Sequence, residues 1–128
     1  MYENYLYIKD KIDFKTCPQG RTEGTFTYFD SLDDKTDNLY YYMQYIKFGF
    51  GRAARDSSRM IQNNQMTREE GVMLAQKYDH EFPHLFFREN LEYLNISEDE
   101  FHAVVDQHRN SEIWELKNGK WELRVKPS

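Results

Sequence analysis

The sequence predicts a mainly α domain: a bundle of about five or six helices with a C-terminal β-hairpin, Trp114–Leu123, packed on it. Three observations carry this. Leu39, Tyr42, Met43, Ile46 and Phe50 recur at the spacing of one helix face. Thr67-Arg68-Glu69-Glu70 and Ser97-Glu98-Asp99-Glu100 each place a hydroxyl three residues before a glutamate, the pattern in which side chain and backbone satisfy one another at a helix start. From Trp114 to Leu123 the apolar period changes to alternation around Asn118-Gly119, a pair that accepts the positive φ angles of a tight hairpin turn.

Taken in order, Tyr5, Ile8 and Ile12 predict a first helix within residues 2–14, closed by Cys17-Pro18-Gln19-Gly20. Residues 21–29, with three aromatics and three threonines around Gly24, read as a short strand or an extended loop. The oxygens of Ser31-Leu32-Asp33-Asp34-Lys35 suit a helix N-terminus, so the second helix is expected from Asp34 to about Phe50. Arg52 to Gln62 reads as a third helix, unusually polar, with Ala53, Ala54, Met60 and Ile61 as its few apolar groups. The Thr67 box opens a fourth, with Val72, Ala75 and Tyr78 on one side, ended by Asp79-His80-Glu81-Phe82-Pro83. His84–Leu94, carrying Phe87, Leu91 and Leu94, is the fifth pattern, and Phe101, Val104, Val105 and His108 mark the sixth. In the hairpin a two-residue loop pairs Leu116 with Trp121 and Trp114 with Leu123 on one face, which needs a cover.

Composition sets the class. The chain has 128 residues, 39% hydrophobic and 30% charged, and reads as a single globular domain, 1–128. Its net charge of −5 argues against a general nucleic-acid partner. One cysteine, Cys17, allows no internal disulfide and suits a reducing, cytoplasmic setting. No apolar run is long enough to span a membrane, and no signal-peptide pattern opens the sequence. His80, His84, His102 and His108 lack zinc-ligand spacing, and no nucleotide-loop or nucleophile-elbow motif is present.

The candidate site is the stretch Tyr45–Asp56, where two glycines interrupt an apolar helix between aromatics and beside Lys47, Arg52 and Arg55. Cations next to glycine-exposed backbone suit a phosphate or carboxylate, which makes Lys47, Gly49, Gly51 and Arg52 the leading ligand-binding residues. The same residues equally suit one helix ending and the next beginning. Asp33 and Lys35 are weaker candidates; Asp33 and Asp34 are carboxylates that suit magnesium or a helix cap. No catalytic residue and no metal-ligand set is expected in the chain.

Several stretches together resemble the C-terminal part of the N-acetyl sugar amidotransferases of the PP-loop ATP-pyrophosphatase superfamily. They are Glu23-Gly24-Thr25-Phe26, Ser31–Lys35, Tyr45-Ile46-Lys47-Phe48-Gly49-Phe50-Gly51-Arg52-Ala53, Thr67–Glu70, Tyr78–Pro83, Leu91–Leu94 and Asn118-Gly119-Lys120-Trp121. The resemblance runs from about residue 21 to the end, and Lys-Phe-Gly-Phe-Gly-Arg is its most specific element. It implies an enzyme of lipopolysaccharide O-antigen or nonulosonic-acid biosynthesis that converts a sugar acetamido group to an acetamidino group. ATP with magnesium would activate the amide, and ammonia from a glutaminase subunit would displace AMP. The superfamily's Ser-Gly-Gly-x-Asp-Ser signature is absent. The chain thus looks like a C-terminal domain whose N-terminal ATP-pyrophosphatase domain is missing, inactive alone and without a tightly bound cofactor. Lys47 and Arg52 would face phosphate or sugar carboxylate, and Gly49 and Gly51 would allow close backbone approach. The alternative is a helical interaction module that docks the ATP-binding domain or the glutaminase through an exposed aromatic patch of Tyr40, Tyr41 and Phe48. An unrelated helical regulatory protein is the third reading.

Overall fold

The computed structural model describes residues 1–128. It contains six helices, α1 (Tyr2–Lys9), α2 (Asp37–Phe48), α3 (Arg52–Gln62), α4 (Arg68–Tyr78), α5 (Phe87–Leu94) and α6 (Glu98–Gln107). A hairpin follows, β1 (Trp114–Lys117) paired antiparallel with β2 (Lys120–Leu123). No helix is long and apolar enough to cross a membrane.

The apolar core lies between α2, α5 and α6. Leu39 and Ile46 meet Phe87, Leu91, Phe101 and Val105 there, with Tyr42, Met43 and Phe82 packed against them. These are the positions the helical spacing selects, because residues three and four apart fall on one face. Phe50 is the exception: α2 stops at Phe48, and Phe50 is exposed. Both capping boxes form as read. Thr67 Oγ1 accepts from Glu70 N at 3.2 Å while Glu70 accepts from Thr67 N at 2.9 Å. Ser97 and Glu100 repeat the exchange at 3.1 and 2.7 Å.

α3 packs on α4 through small residues. A Cβ at Gly71 would stand 2.8 Å from Ile61 Cδ1 and 3.2 Å from Ser57 Cβ, so its missing side chain sets how closely the two helices approach. The hairpin has the predicted register, Trp114 with Leu123 and Leu116 with Trp121. It is tacked to the end of α2, where the buried Trp114 indole donates to Ile46 O at 2.6 Å and its ring meets Tyr45 edge-on. Cover reaches only that end of the shared face: Leu116, near the tip, is 59% exposed.

Three boundaries depart from the sequence reading. α1 ends at Lys9 rather than near Phe14, and Ile12 is exposed. The helix buries no residue and rests on the loop through Tyr2 and Tyr5 against Phe29, with ring centroids 5.8 and 4.5 Å apart. α2 begins at Asp37, three residues late, because Asp34 turns its carboxylate onto Thr36 N and Oγ1 at 2.8 and 2.7 Å. That local Asx turn competes with helix. Residues 21–29 form a loop, tied by Thr22 N to Thr27 O at 3.0 Å, and the side chains of Thr22, Thr25 and Thr27 are buried. α5 starts at Phe87, after a short turn from His84.

Candidate functional site

The α2–α3 turn is built by two glycines with different duties. Gly49 closes α2 in the left-handed region, φ 78°, with its N–H on Tyr45 O. A Cβ there would lie 2.7 Å from Ile113 Cγ2 and 3.2 Å from Leu123 Cδ2, so the hairpin also needs this glycine. Gly51 is the N-cap of α3 in ordinary extended backbone. Its requirement is space: a Cβ would fall 2.8 Å from Asp79 Oδ1.

Asp79, the C-cap of α4 and buried, fills the N-terminus of α3 from across the molecule. Its Oδ2 accepts from Gly51 N at 2.9 Å and its Oδ1 from Ala54 N at 3.0 Å. An anion at free helix N–H groups is the favoured arrangement. Here that anion is the protein's own. Burial pushes the Asp79 carboxyl up, against the downward pull of the backbone N–H groups it accepts from.

Beneath the turn sits a polar cluster. Asp56, fully buried, accepts from Thr25 Oγ1 at 2.8 Å and from Arg55 Nε at 3.0 Å. Arg55 also reaches Asp30 Oδ2 at 3.0 Å and the Tyr41 hydroxyl. Arg52 donates to Asp30 O and to Asn38 Oδ1, and its Nε stands 3.8 Å from Asp56 Oδ2 without a hydrogen-bond partner. Both guanidinium groups lie over the Tyr41 ring, at 4.9 Å for Arg52 and 4.4 Å for Arg55. Two guanidiniums against two carboxylates leave the cluster balanced. Burial pulls Arg52 below the ordinary arginine value; Arg55 is also pulled down by burial but held above it by Asp56 and Tyr41.

A second clamp fastens the loop that carries Gly24. Arg21 meets Glu81 in two parallel bonds, 2.8 and 2.7 Å, and Glu81 also accepts from Gly24 N at 2.9 Å. Glu23 reaches the other way and accepts from His84 N and Leu85 N. Glu23–Phe26, the α2–α3 turn and Tyr78–Pro83 are far apart in the sequence and meet around Gly24, Arg52 and Asp79.

The sequence candidates therefore separate. Gly49, Gly51 and Arg52 come together, but the N–H of each glycine is bonded within the protein and Arg52 is buried. Arg52 is 1% exposed with its donors turned inward, so it ties α3 to the loop and does not present a cation; the anion that Gly51 N–H would serve is Asp79. Lys47 is exposed, with Nζ over its neighbour Phe48. Asp33 and Lys35 lie elsewhere, in a cleft that also contains Lys15, Asp34 and Asn38, and Lys35 pairs with Glu89 at 2.7 Å. Of the aromatic patch, Tyr40 and Phe48 are 65% and 54% exposed, whereas Tyr41 is half-buried under the two arginines. The arrangement adds Asp79, Asp56, Asp30, Thr25 and Tyr41 to the site. Only the four-residue step from Arg52 to Asp56 was readable as a pair.

Beside the turn, on the hairpin side, opens a cavity of about 510 Å³. Tyr45, Gly49 and Asp79 lie on the α2–α4 side, Trp114 and Trp121 belong to the hairpin, and Lys126 and Pro127 lie at the C-terminal end. That end is held across α4 by Gln76 Nε2 donating to Pro127 O at 2.9 Å. Burial and the neighbouring Asp79 push the Tyr45 phenol up to about 12, so it stays protonated.

The family model described as "LPS biosynthesis protein WbpG-like, C-terminal domain" matches residues 23–126, which takes in the loop from Glu23 on, the turn, the arginine cluster and the hairpin, but not Arg21 of the second clamp. No curated protein matches the chain. Residues 1–22, with α1, lie outside the matched range. The chain belongs to the WbpG-like C-terminal domain family of lipopolysaccharide biosynthesis proteins.

Proposed function

We propose that the chain acts as the C-terminal domain of an ATP-dependent sugar amidotransferase in lipopolysaccharide biosynthesis. The observation that carries this reading is the meeting of the amidotransferase-like stretches, Glu23–Phe26, Tyr45–Ala53 and Tyr78–Pro83, around one turn, in a chain of the lipopolysaccharide family. An ATP-pyrophosphatase domain binds ATP and magnesium and transfers AMP to the acetamido oxygen, releasing pyrophosphate. Ammonia from a glutaminase adds to the activated carbon, AMP leaves with the oxygen, and an acetamidino group remains. This chain contributes a wall of the sugar site, held rigid by the Asp79 cap and the arginine cluster. Lys47 is the exposed cation of the turn, and we assign it to a phosphate held by the ATP-pyrophosphatase domain.

The test combines the purified chain with an ATP-pyrophosphatase subunit, a glutaminase, glutamine, ATP–magnesium and a nucleotide-linked acetamido sugar. Pyrophosphate release together with oxygen-for-NH exchange, read by mass spectrometry and dependent on the chain, is the expected result. Product formed equally well without the chain refutes it. Lys47→Ala is expected to slow the reaction without unfolding the chain.

The second reading, an interaction module, is favoured by the exposed Tyr40, Phe48 and Phe50 beside Lys47. It predicts that Phe48→Ser weakens docking to the ATP-binding subunit while leaving the rate of the assembled enzyme at saturation unchanged.

A further inference from the structure

We infer that the cavity between the end of α2, α4 and the hairpin is a binding site for an uncharged, hydroxylated ring, and that it excludes phosphate. The identification of that ring with the acetamido sugar rests on the proposed function; the placement and the charge preference rest on geometry.

The cavity has the several-hundred-Å³ size of small-molecule sites, mostly apolar with a few polar groups. Trp121 is one wall, partly exposed although it is the larger apolar residue of its strand. An aromatic face carries partial negative charge and takes the electropositive C–H face of a saturated ring. Pro127 adds a second flat apolar surface. The polar groups are those a hydroxylated ligand uses. The Tyr45 phenol stays protonated and makes no hydrogen bond within the protein, so it is free to donate. Gln76 has its amide N–H on Pro127 O, which leaves its carbonyl oxygen to accept. His80 is exposed at the rim.

Charge then decides against phosphate. Asp79 and Glu122 place two carboxylates on the lining against one ammonium, Lys126. The helix N–H groups that would bind an anion nearby are already taken by Asp79. The cleft at Asp33 and Lys35 differs: Lys15 and Lys35 balance its two aspartates, and no tryptophan lines it. A sugar diphosphate would thus enter this cavity ring-first, with its phosphates outside it.

The test titrates the intact chain with methyl N-acetylglucosaminide and, separately, with pyrophosphate, following tryptophan emission and amide NMR shifts. Saturable shifts at Gly49, Gln76, His80 and Leu123 with the glycoside, and none there with pyrophosphate, are expected. Trp121→Leu should weaken binding about tenfold through loss of the stacking surface. His80→Ala, an exposed substitution that leaves the core intact, should weaken it severalfold. The absence of saturable shifts in the folded chain, equal shifts with pyrophosphate, or shifts confined to residues 31–38 would each overturn the inference. Amidination by the assembled enzyme with glycoside shifts outside the cavity sinks this inference and leaves the proposed function standing. Glycoside binding in the cavity without amidination does the reverse.

Discussion

Gly51→Ala should be strongly destabilising only while Asp79 is present. The added Cβ would stand 2.8 Å from Asp79 Oδ1, 2.9 Å from Cγ and 3.0 Å from Cβ, and no other side chain is as near. The carboxylate must move back, which lengthens its bonds to Gly51 N and Ala54 N from 2.9 and 3.0 Å. Overpacking of this kind costs about 1–3 kcal/mol, and weakening one charge-assisted bond adds about 1 kcal/mol, so a loss of about 2–4 kcal/mol is expected. Asp79→Ala alone removes both bonds and a helix cap. The buried charge disappears as well, which returns part of its desolvation cost, leaving about 2–3 kcal/mol lost. In the double variant Oδ1 and Cγ, the two nearest atoms, are gone and only the contact of 3.0 Å to the retained Cβ is left, which a small shift relieves. Gly51→Ala then costs only the poorer capping of alanine, about 0.5–1 kcal/mol. The cycle therefore closes with a coupling of about 2 kcal/mol, well above the few tenths expected of independent sites. Urea unfolding followed by circular dichroism gives all four stabilities, provided that m is unchanged among them. Additive losses would refute the assignment of Asp79 as the cap of α3, and so would a Gly51 amide resonance that does not move in Asp79→Ala.

Gly49→Ala should be worse than either, by about 3 kcal/mol or more, because it combines a positive φ with a contact of 2.7 Å to Ile113 Cγ2; thermal unfolding checks it, and an unchanged midpoint would contradict the αL cap. Ile46→Ala should cost about 2–5 kcal/mol as a cavity in the α2–α5–α6 core, measured by urea unfolding. Glu81 supplies the pH prediction. Burial pushes its carboxyl up, but the Arg21 pair and the Gly24 N–H outweigh that and hold it below its ordinary 4.5. A depressed folded value means that the contribution is complete above the unfolded value and is lost as pH falls through the folded one. The stability gap between wild type and Glu81→Gln should thus be widest at neutral pH and shrink below about pH 4.5. Asp79 carries the opposite sign, since its raised value favours the folded state at low pH, so only the difference between variants isolates Glu81.

Local features were legible in the sequence. Both capping boxes need only residues three apart, the hairpin register follows from Asn118-Gly119, and Leu39 and Ile46 face the core by helical spacing alone. The α2–α3 boundary was readable as a helix end and start, but the glycines' reasons were not. Nothing local says that Gly49 faces Ile113 or that Gly51 faces Asp79, which lie 64 and 28 positions away. Arg52 misled for the same cause. An arginine beside glycines reads as a ligand cation until Asp30, Asn38, Asp56 and Tyr41 are folded around it. The exposed end of the first helical pattern, at Ile12, failed differently, because nothing packs on that side to stabilise more turns of helix.

The placement of charge ties these points to function. A turn that only joins two helices needs no buried carboxylate from a third, and burial works against this one while the backbone N–H groups it accepts from favour it. Asp79 does two jobs at once. On one side it fixes the start of α3, and with it the arginine cluster and the Gly24 loop. On the other side it lines the cavity under Trp114 and Trp121. Asp79 and Glu81 lie two positions apart and hold α3 and Gly24 respectively. Lys47, Phe48 and Phe50 project from the same turn to the outside. The turn thus joins the cavity to an exposed, partly aromatic surface, the arrangement that the proposed function would require.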